Sequence, residues 1–126
     1  SEEATCMQST LYFSLAEAER EAGQLDLKDR FGRKVHIPET GCVLSENVRI
    51  LRDGTSQGYM LQQNPSVWVG IVSIAMPNFN HRVSDNPVES VSRSGRQYTQ
   101  LLERKFEAAV RAALKVNADV LVIPDC

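Results

Sequence analysis

The sequence has little of what would mark an exported, membrane or metal-binding protein. Its three cysteines, Cys6, Cys42 and Cys126, form an odd set with no Cys-x-x-Cys spacing. That argues against a disulfide framework and against a cysteine zinc site, so reduced thiols are expected. The two histidines, His36 and His81, lie far apart with no second ligand at metal spacing; both are expected as surface or hydrogen-bonded side chains, and no metal is expected. No apolar run approaches the roughly 20 residues of a membrane helix. Ser1-Glu2-Glu3 lacks the basic and apolar regions of a signal peptide, so the expectation is a cytoplasmic chain with no membrane partner. Charge of one sign is missing too: 14 basic and 16 acidic residues are mixed along the chain, for a net −2, and no strong field draws it to DNA.

Common catalytic and nucleotide-binding signatures are also lacking. Gly54-Thr55-Ser56-Gln57-Gly58 has neither a Gly-Lys-Ser/Thr ending nor a following helix, and is expected as a hairpin turn. No Gly-x-Ser-x-Gly surrounds Ser9, Ser14 or Ser73. Without a placed His or Asp partner, these serines and Cys6 are expected in core or capping roles rather than as nucleophiles. Tyr12, Phe13 and Phe79 could stack on a base, but each is expected in the core instead.

What remains is an ordinary globular pattern. A chain of 126 residues, 42% of them apolar, fits one domain spanning residues 1–126 around one core. Helix formers run from Glu2 to about Ala22; Ser9-Thr10 interrupts the run, which reads as one turn-broken helix or two short ones, and Gly23 reads as its end. Residues 24–39 are expected as loop with one short strand around Lys34–Ile37. Cys42–Leu44 and Val48–Leu51 read as two short strands, the second ended by the turn signal Arg52-Asp53-Gly54, and Tyr59–Leu61 as a brief one. Val67–Ala75 is nearly continuous in β-branched and apolar residues, the pattern of a central strand buried on both faces.

Residues 79–95 read as a long exposed loop. From Arg96 to Asn117, apolar residues recur at three- and four-residue steps, with Glu103, Arg104, Glu107 and Arg111 between them, which predicts a long amphipathic helix ending at Asn117. Asp119–Ile123 then reads as a second buried strand, parallel to Val67–Ala75 through a crossover helix. Ligands in open α/β sheets sit beyond the carboxyl ends of parallel strands. That singles out Ala75-Met76-Pro77-Asn78 and Pro124-Asp125-Cys126. A buried strand with no covering element is an unlikely place for a domain to finish, so residues beyond Cys126 are expected.

Four segments resemble the microbial-type poly(ADP-ribose) glycohydrolases. Glu2-Glu3-Ala4-Thr5-Cys6 through Ser9-Thr10-Leu11-Tyr12-Phe13-Ser14-Leu15 looks like that family's Gln-Glu-Glu helix. Gly41–Asp53 is similar to its strand pair, and Val69–Asn78 to the strand it ends in Ala-Ala-Pro-Asn. Ala118–Cys126 resembles the strand that leads into its Gly-Cys-Gly phosphate loop. The four occur in the family's order; residues 16–37 and 79–96 match nothing in it.

The resemblance implies an α/β fold of macrodomain type, a mixed sheet flanked by helices and here incomplete at both ends, that hydrolyses ribose–ribose bonds of poly(ADP-ribose) or a related conjugate and releases ADP-ribose. It implies Glu3 as the catalytic acid with Glu2 beside it, Asn78, Phe79 and Asp125 as ligand-binding residues, no cofactor, and ADP-ribose or its polymer as partner. Three departures stand out: Ser1 occupies the position of the family's Gln, and neither the Gly-Gly-Gly nor the Gly-Cys-Gly loop is present. Apart from the resemblance, Glu2-Glu3 is also what a helix dipole favours at an amino terminus, and a non-catalytic ADP-ribose reader is the alternative.

Overall fold

The computed structural model describes residues 2–82, 89 and 92–123. In chain order the elements are helix α1 (Glu2–Gln8), helix α2 (Leu11–Gln24), strand β1 (Val43–Arg49), a 3₁₀ turn (Thr55–Gln57), strand β2 (Trp68–Ser73) and helix α3 (Arg96–Lys115). Among the described residues this is a small α/β arrangement with one two-stranded antiparallel sheet.

The break between α1 and α2 has a local cause. The Ser9 hydroxyl donates back to the Thr5 carbonyl at 2.7 Å and accepts the Leu11 N–H at 3.2 Å, so it competes with the helical ladder. The main chain freed there pairs elsewhere. Thr10 N–H donates to Arg49 O at 3.0 Å, Leu51 and Arg52 N–H both donate to Gln8 O, and Ser9 forms a bridge with Ile50. Arg49 N–H donates to the Thr10 hydroxyl at 2.9 Å. Residues 8–10 thus act as a short strand surrogate that ties both helices to the end of β1.

α2 buries Leu11, Leu15 and Ala22, which recur at helical spacing on one face. Leu11 and Val48 are each only 2% exposed, and with Leu15 they form a core cluster on which Cys6, Val43 and Ile71 pack. Full burial of an aliphatic side chain of this size contributes about 1.5–3 kcal/mol. α2 ends one residue beyond the expected Gly23. Asp26 takes the left-handed conformation (φ 49°), Leu27 N–H donates to Ala22 O at 2.9 Å and Asp26 N–H to Gly23 O at 3.3 Å, a Schellman closure using aspartate where glycine is commoner.

The two strands expected at Cys42–Leu44 and Val48–Leu51 are one strand with a bulge. Ser45 pairs with Ile71 and Val48 with Val69, so Glu46 and Asn47 together oppose Gly70, and Asn47 supplies the left-handed backbone (φ 57°). In a regular strand, residues three apart face opposite ways. The extra residue lets both Ser45 and Val48 be buried, and the Ser14 hydroxyl on α2 donates to Ser45 Oγ at 2.7 Å.

Four strand expectations need correction. Val67–Ala75 is not a central strand buried on both faces: β2 has β1 as its only strand partner among the described residues, and Trp68, Val69 and Gly70 are exposed. Asp119–Ile123 forms no strand, with Val120 74% and Val122 79% exposed, so the sheet is antiparallel there rather than mixed. β-branched residues suit a strand only where neighbouring surfaces bury them, and this run has no such surface. The expected strands near Lys34 and Tyr59–Leu61 reduce to single bridges, Lys28 with Lys34 and Arg52 with Leu61. Of the expected 79–95 loop, residues 83–88, 90 and 91 lie outside the described residues.

α3 matches the expected helix. It closes with Asn117 left-handed (φ 52°), Ala118 N–H donating to Ala113 O at 3.0 Å and Asn117 N–H to Leu114 O at 3.1 Å, a second Schellman closure. Its buried residues are Lys105, Ala109, Ala112 and Ala113. Leu11→Ala is expected to cost about 2–5 kcal/mol in urea unfolding; a loss well under about 1 kcal/mol would show that Leu11 is not the centre of the core.

Candidate functional site

The ladder between β1 and β2 stops at the Val43–Ser73 pair. Beyond it the two chains part, one leading back through Gly41 to Pro38, the other forward through Ile74 and Ala75 to Asn78. The first makes a tight turn, Gly41 N–H donating to Pro38 O at 3.1 Å. A Cβ at Gly41 would stand 2.8 Å from the Pro38 Cβ, so the turn requires glycine there. An open cleft of about 450 Å³ lies in this split, with His36, Ile37 and Glu39 on one side, Ile74–Asn78 on the other, and Leu101 and Lys105 of α3 among its lining.

Charged groups cross the split. The Lys105 ammonium donates to the main-chain carbonyl of Ala75 at 2.6 Å and to that of Glu39. Arg30 spans the carboxylates of Glu39, at 3.2 Å, and Glu89. Its guanidinium lies over the Phe31 ring, 4.9 Å from the centroid. Burial pushes the Lys105 ammonium below its ordinary range and Arg30 acts in the same direction, whereas the Glu39 and Glu89 carboxylates oppose the shift. Asp29 shapes the neighbouring turn by accepting the N–H groups of Phe31 and Arg33, each at 2.9 Å. The Arg33 N–H, above all, holds its carboxyl below the usual range.

The residues singled out in the sequence do not all meet here. Asn78 lines the cleft; its side-chain oxygen accepts the Asn80 N–H at 2.8 Å and its main-chain carbonyl accepts the Glu89 N–H at 2.6 Å. Phe79 packs edge-on against Tyr98 of α3 at 5.5 Å, with the Arg93 guanidinium 4.3 Å from its centroid. Glu2 opens α1 and Glu3 is exposed on it. The carboxyl end of α1 is tied to residues 49–52, at the opposite end of the ladder from Asn78, and no described α1 side chain lines this cleft. Asp125 lies outside the described residues.

Sequence reasoning missed Arg30, Glu39, Glu89 and Lys105. Only Lys105 carried a signal. It falls on the same face of α3 as Leu101, Ala109 and Ala112, a core position where a lysine is unusual. The other three meet through chain turns that no local pattern announces.

A second cleft, about 520 Å³, separates the Trp68–Gly70 edge of β2 from Ala118, Val120 and Leu121. Arg49 stacks 5.3 Å from the Trp68 centroid and donates to the Pro65 carbonyl. Glu46, Asn47 and Lys115 stand beside the apolar residues of that lining, whereas in the first cleft Arg30, Glu39, Glu89 and Lys105 are bonded to one another or to the main chain over an apolar floor, an arrangement that suits recognition of a polar small molecule. Among the described residues no group of three or more His, Cys, Asp or Glu could hold a metal ion, and no helix is long and apolar enough to cross a membrane. Comparison with protein-family models, curated proteins and solved structures finds no match to this chain.

The Lys105 shift implies a pH dependence. A lysine whose pKa is lower folded than unfolded is deprotonated first in the native state, so the unfolded chain binds more protons in the window below the ordinary 10.5 and stability rises with pH across it. The stability of the native protein relative to Lys105→Met is therefore expected to increase as pH rises toward that value in urea unfolding. A difference that is flat or falls with pH would contradict it.

Proposed function

We propose that this chain belongs to a glycohydrolase resembling the microbial-type poly(ADP-ribose) glycohydrolases, which cleaves ribose–ribose O-glycosidic bonds and releases ADP-ribose. The observation that carries this reading is the collinear run of four segments, from Glu2-Glu3 through Gly41–Asp53 and Val69–Asn78 to Ala118–Cys126. The same reading takes the fold as macrodomain-like and the setting as cytoplasmic. The position of Asn78 on the wall of a cleft at the end of β2 supports a ligand site at that strand end.

Cleavage of such a bond passes through an oxocarbenium-like state, so the reaction needs a group that protonates the departing ribose hydroxyl oxygen and then takes a proton from the attacking water. A carboxylic acid does both in turn. Glu3 has this role and Glu2 holds the adjacent ribose hydroxyls, while Asn78, Phe79 and Asp125 contact the nucleotide. Successive helical residues point about 100° apart, so the two carboxylates serve different tasks.

One observation favours a second reading, a non-catalytic ADP-ribose-binding module: no described α1 side chain lines the cleft that Asn78 lines, and the carboxyl end of α1 is fastened at the other end of the ladder. In a reader the acidic pair is only a helix-terminal feature.

Polymer cleavage and calorimetric titration with ADP-ribose, carried out on the protein that contains these residues, separate the readings. Glu3→Gln is expected to lower turnover by about a hundredfold or more while ADP-ribose affinity is kept. Turnover retained in Glu3→Gln removes Glu3 from the chemistry, tight binding without turnover by the native protein selects the reader, and absence of both contradicts each reading.

A further inference from the structure

Lys105 is only 3% exposed and is the one charged residue in the buried class among the described residues. The other polar residues of that class, Ser9 and Ser45, are small hydroxyls with hydrogen-bond partners, and the Glu89 side chain, 4% exposed, is paired with Arg30. An ammonium on the apolar face of a helix is costly to desolvate, and it persists where its hydrogen bonds are strong and its partners would otherwise be left unmet.

Both partners are main-chain carbonyls, and they belong to the two chains that separate at the end of the sheet. Ala75 follows β2 and Glu39 precedes β1, each beyond the last ladder pair Val43–Ser73. The ammonium replaces ladder bonds that the strands no longer give each other. Arg30 repeats the connection with side chains, pairing with Glu39 on one side and with Glu89 on the other, and the Glu89 N–H in turn holds the Asn78 carbonyl.

We infer that Lys105 is the positioning residue of the first cleft: by bridging the carbonyls of Glu39 and Ala75 it ties the diverging strands at a fixed separation and fixes the path of Met76-Pro77-Asn78 along the cleft wall. The ammonium, already engaged with both carbonyls, does not touch the ligand; it acts through Asn78 and through the width of the split. The inference depends on the proposed function only for the identity of the ligand as ADP-ribose.

Amide hydrogen exchange on the native protein, Lys105→Met and Lys105→Arg tests it. In Lys105→Met the hydrogen-bonded amides of the two segments, Gly41 N–H on the Pro38 carbonyl and Glu89 N–H on the Asn78 carbonyl, are expected to exchange about tenfold faster or more, because loss of the two charge-assisted bonds lets the segments open. The core amides of Leu15 and Val48 should be unchanged, and Lys105→Arg, which keeps donors, should restore the slow exchange. Unchanged exchange at Gly41 and Glu89 in Lys105→Met overturns the inference. So does equally fast exchange in both variants, since it would mean that the packed stem and not the bridge holds the segment.

If Lys105→Met does not fold, reductive methylation of the native protein decides instead. Lys105 should react about tenfold or more slowly than Lys28, Lys34 and Lys115; reaction at their rate overturns the inference. ADP-ribose titration then separates the two levels. Failure of the native protein to bind counts against the proposed function and leaves the exchange result to judge Lys105. Native binding that survives unweakened in a folded Lys105→Met counts against the positioning role.

Discussion

A buried ammonium between two strand ends sets the geometry of the rest. β1 and β2 stop pairing at Val43–Ser73, and main-chain carbonyls left beyond that point need donors. α3 supplies one from Lys105, reaching Glu39 on one chain and Ala75 on the other. The contact orients α3 on the sheet, closes the base of the split, and leaves the cleft that Asn78 lines. Desolvation makes this a high-stakes contact: a partnered ammonium is tolerated there, and an unpartnered one would be strongly destabilising.

The opposite end of the ladder is held by neutral main-chain pairing. Ser9 and Thr10 leave the helical pattern and bond to residues 49–50, while Gln8 accepts from Leu51 and Arg52. The same break turns Leu11 and Leu15 onto Val48, and the bulge at Glu46-Asn47 puts Ser45 within reach of Ser14. The consequence for function is spatial. The acidic pair rides on a helix anchored at one end of the sheet, whereas the polar cleft opens at the other. A hydrolase must bring these together around the substrate; a reader need not. That difference, more than any single residue, separates the two readings of the chain.

What could be read from the sequence follows from how local each cause is. The long periodic stripe of α3, its end at Asn117, and the interruption at Ser9-Thr10 are set by neighbouring residues, and they stand where expected. Asn78 lines a cleft, although the strand-end rule that singles it out applies to parallel strands and β2 pairs antiparallel. The burial of Val67–Ala75 and the strand at Asp119–Ile123 depended on layers that a run of β-branched residues cannot specify by itself. The bulge in β1 was hidden because Glu46-Asn47 reads as a turn between strands, although Asn is the residue expected where a left-handed backbone is needed. Lys105 was legible as a lysine among core positions. Its partners were not, because main-chain carbonyls leave no mark in the sequence.

The most direct measurement is a nuclear Overhauser map around the Lys105 ε-methylene protons in the native protein. The account requires contacts from these protons to the main-chain protons of Thr40 and Met76, the residues that follow the two accepting carbonyls, with no cross-strand contact between Gly41 and Ala75. Strong contacts between Gly41 and Ala75, with the Lys105 methylene seeing neither chain, would mean that the ladder continues past Val43–Ser73 and that the cleft is not held open by this side chain.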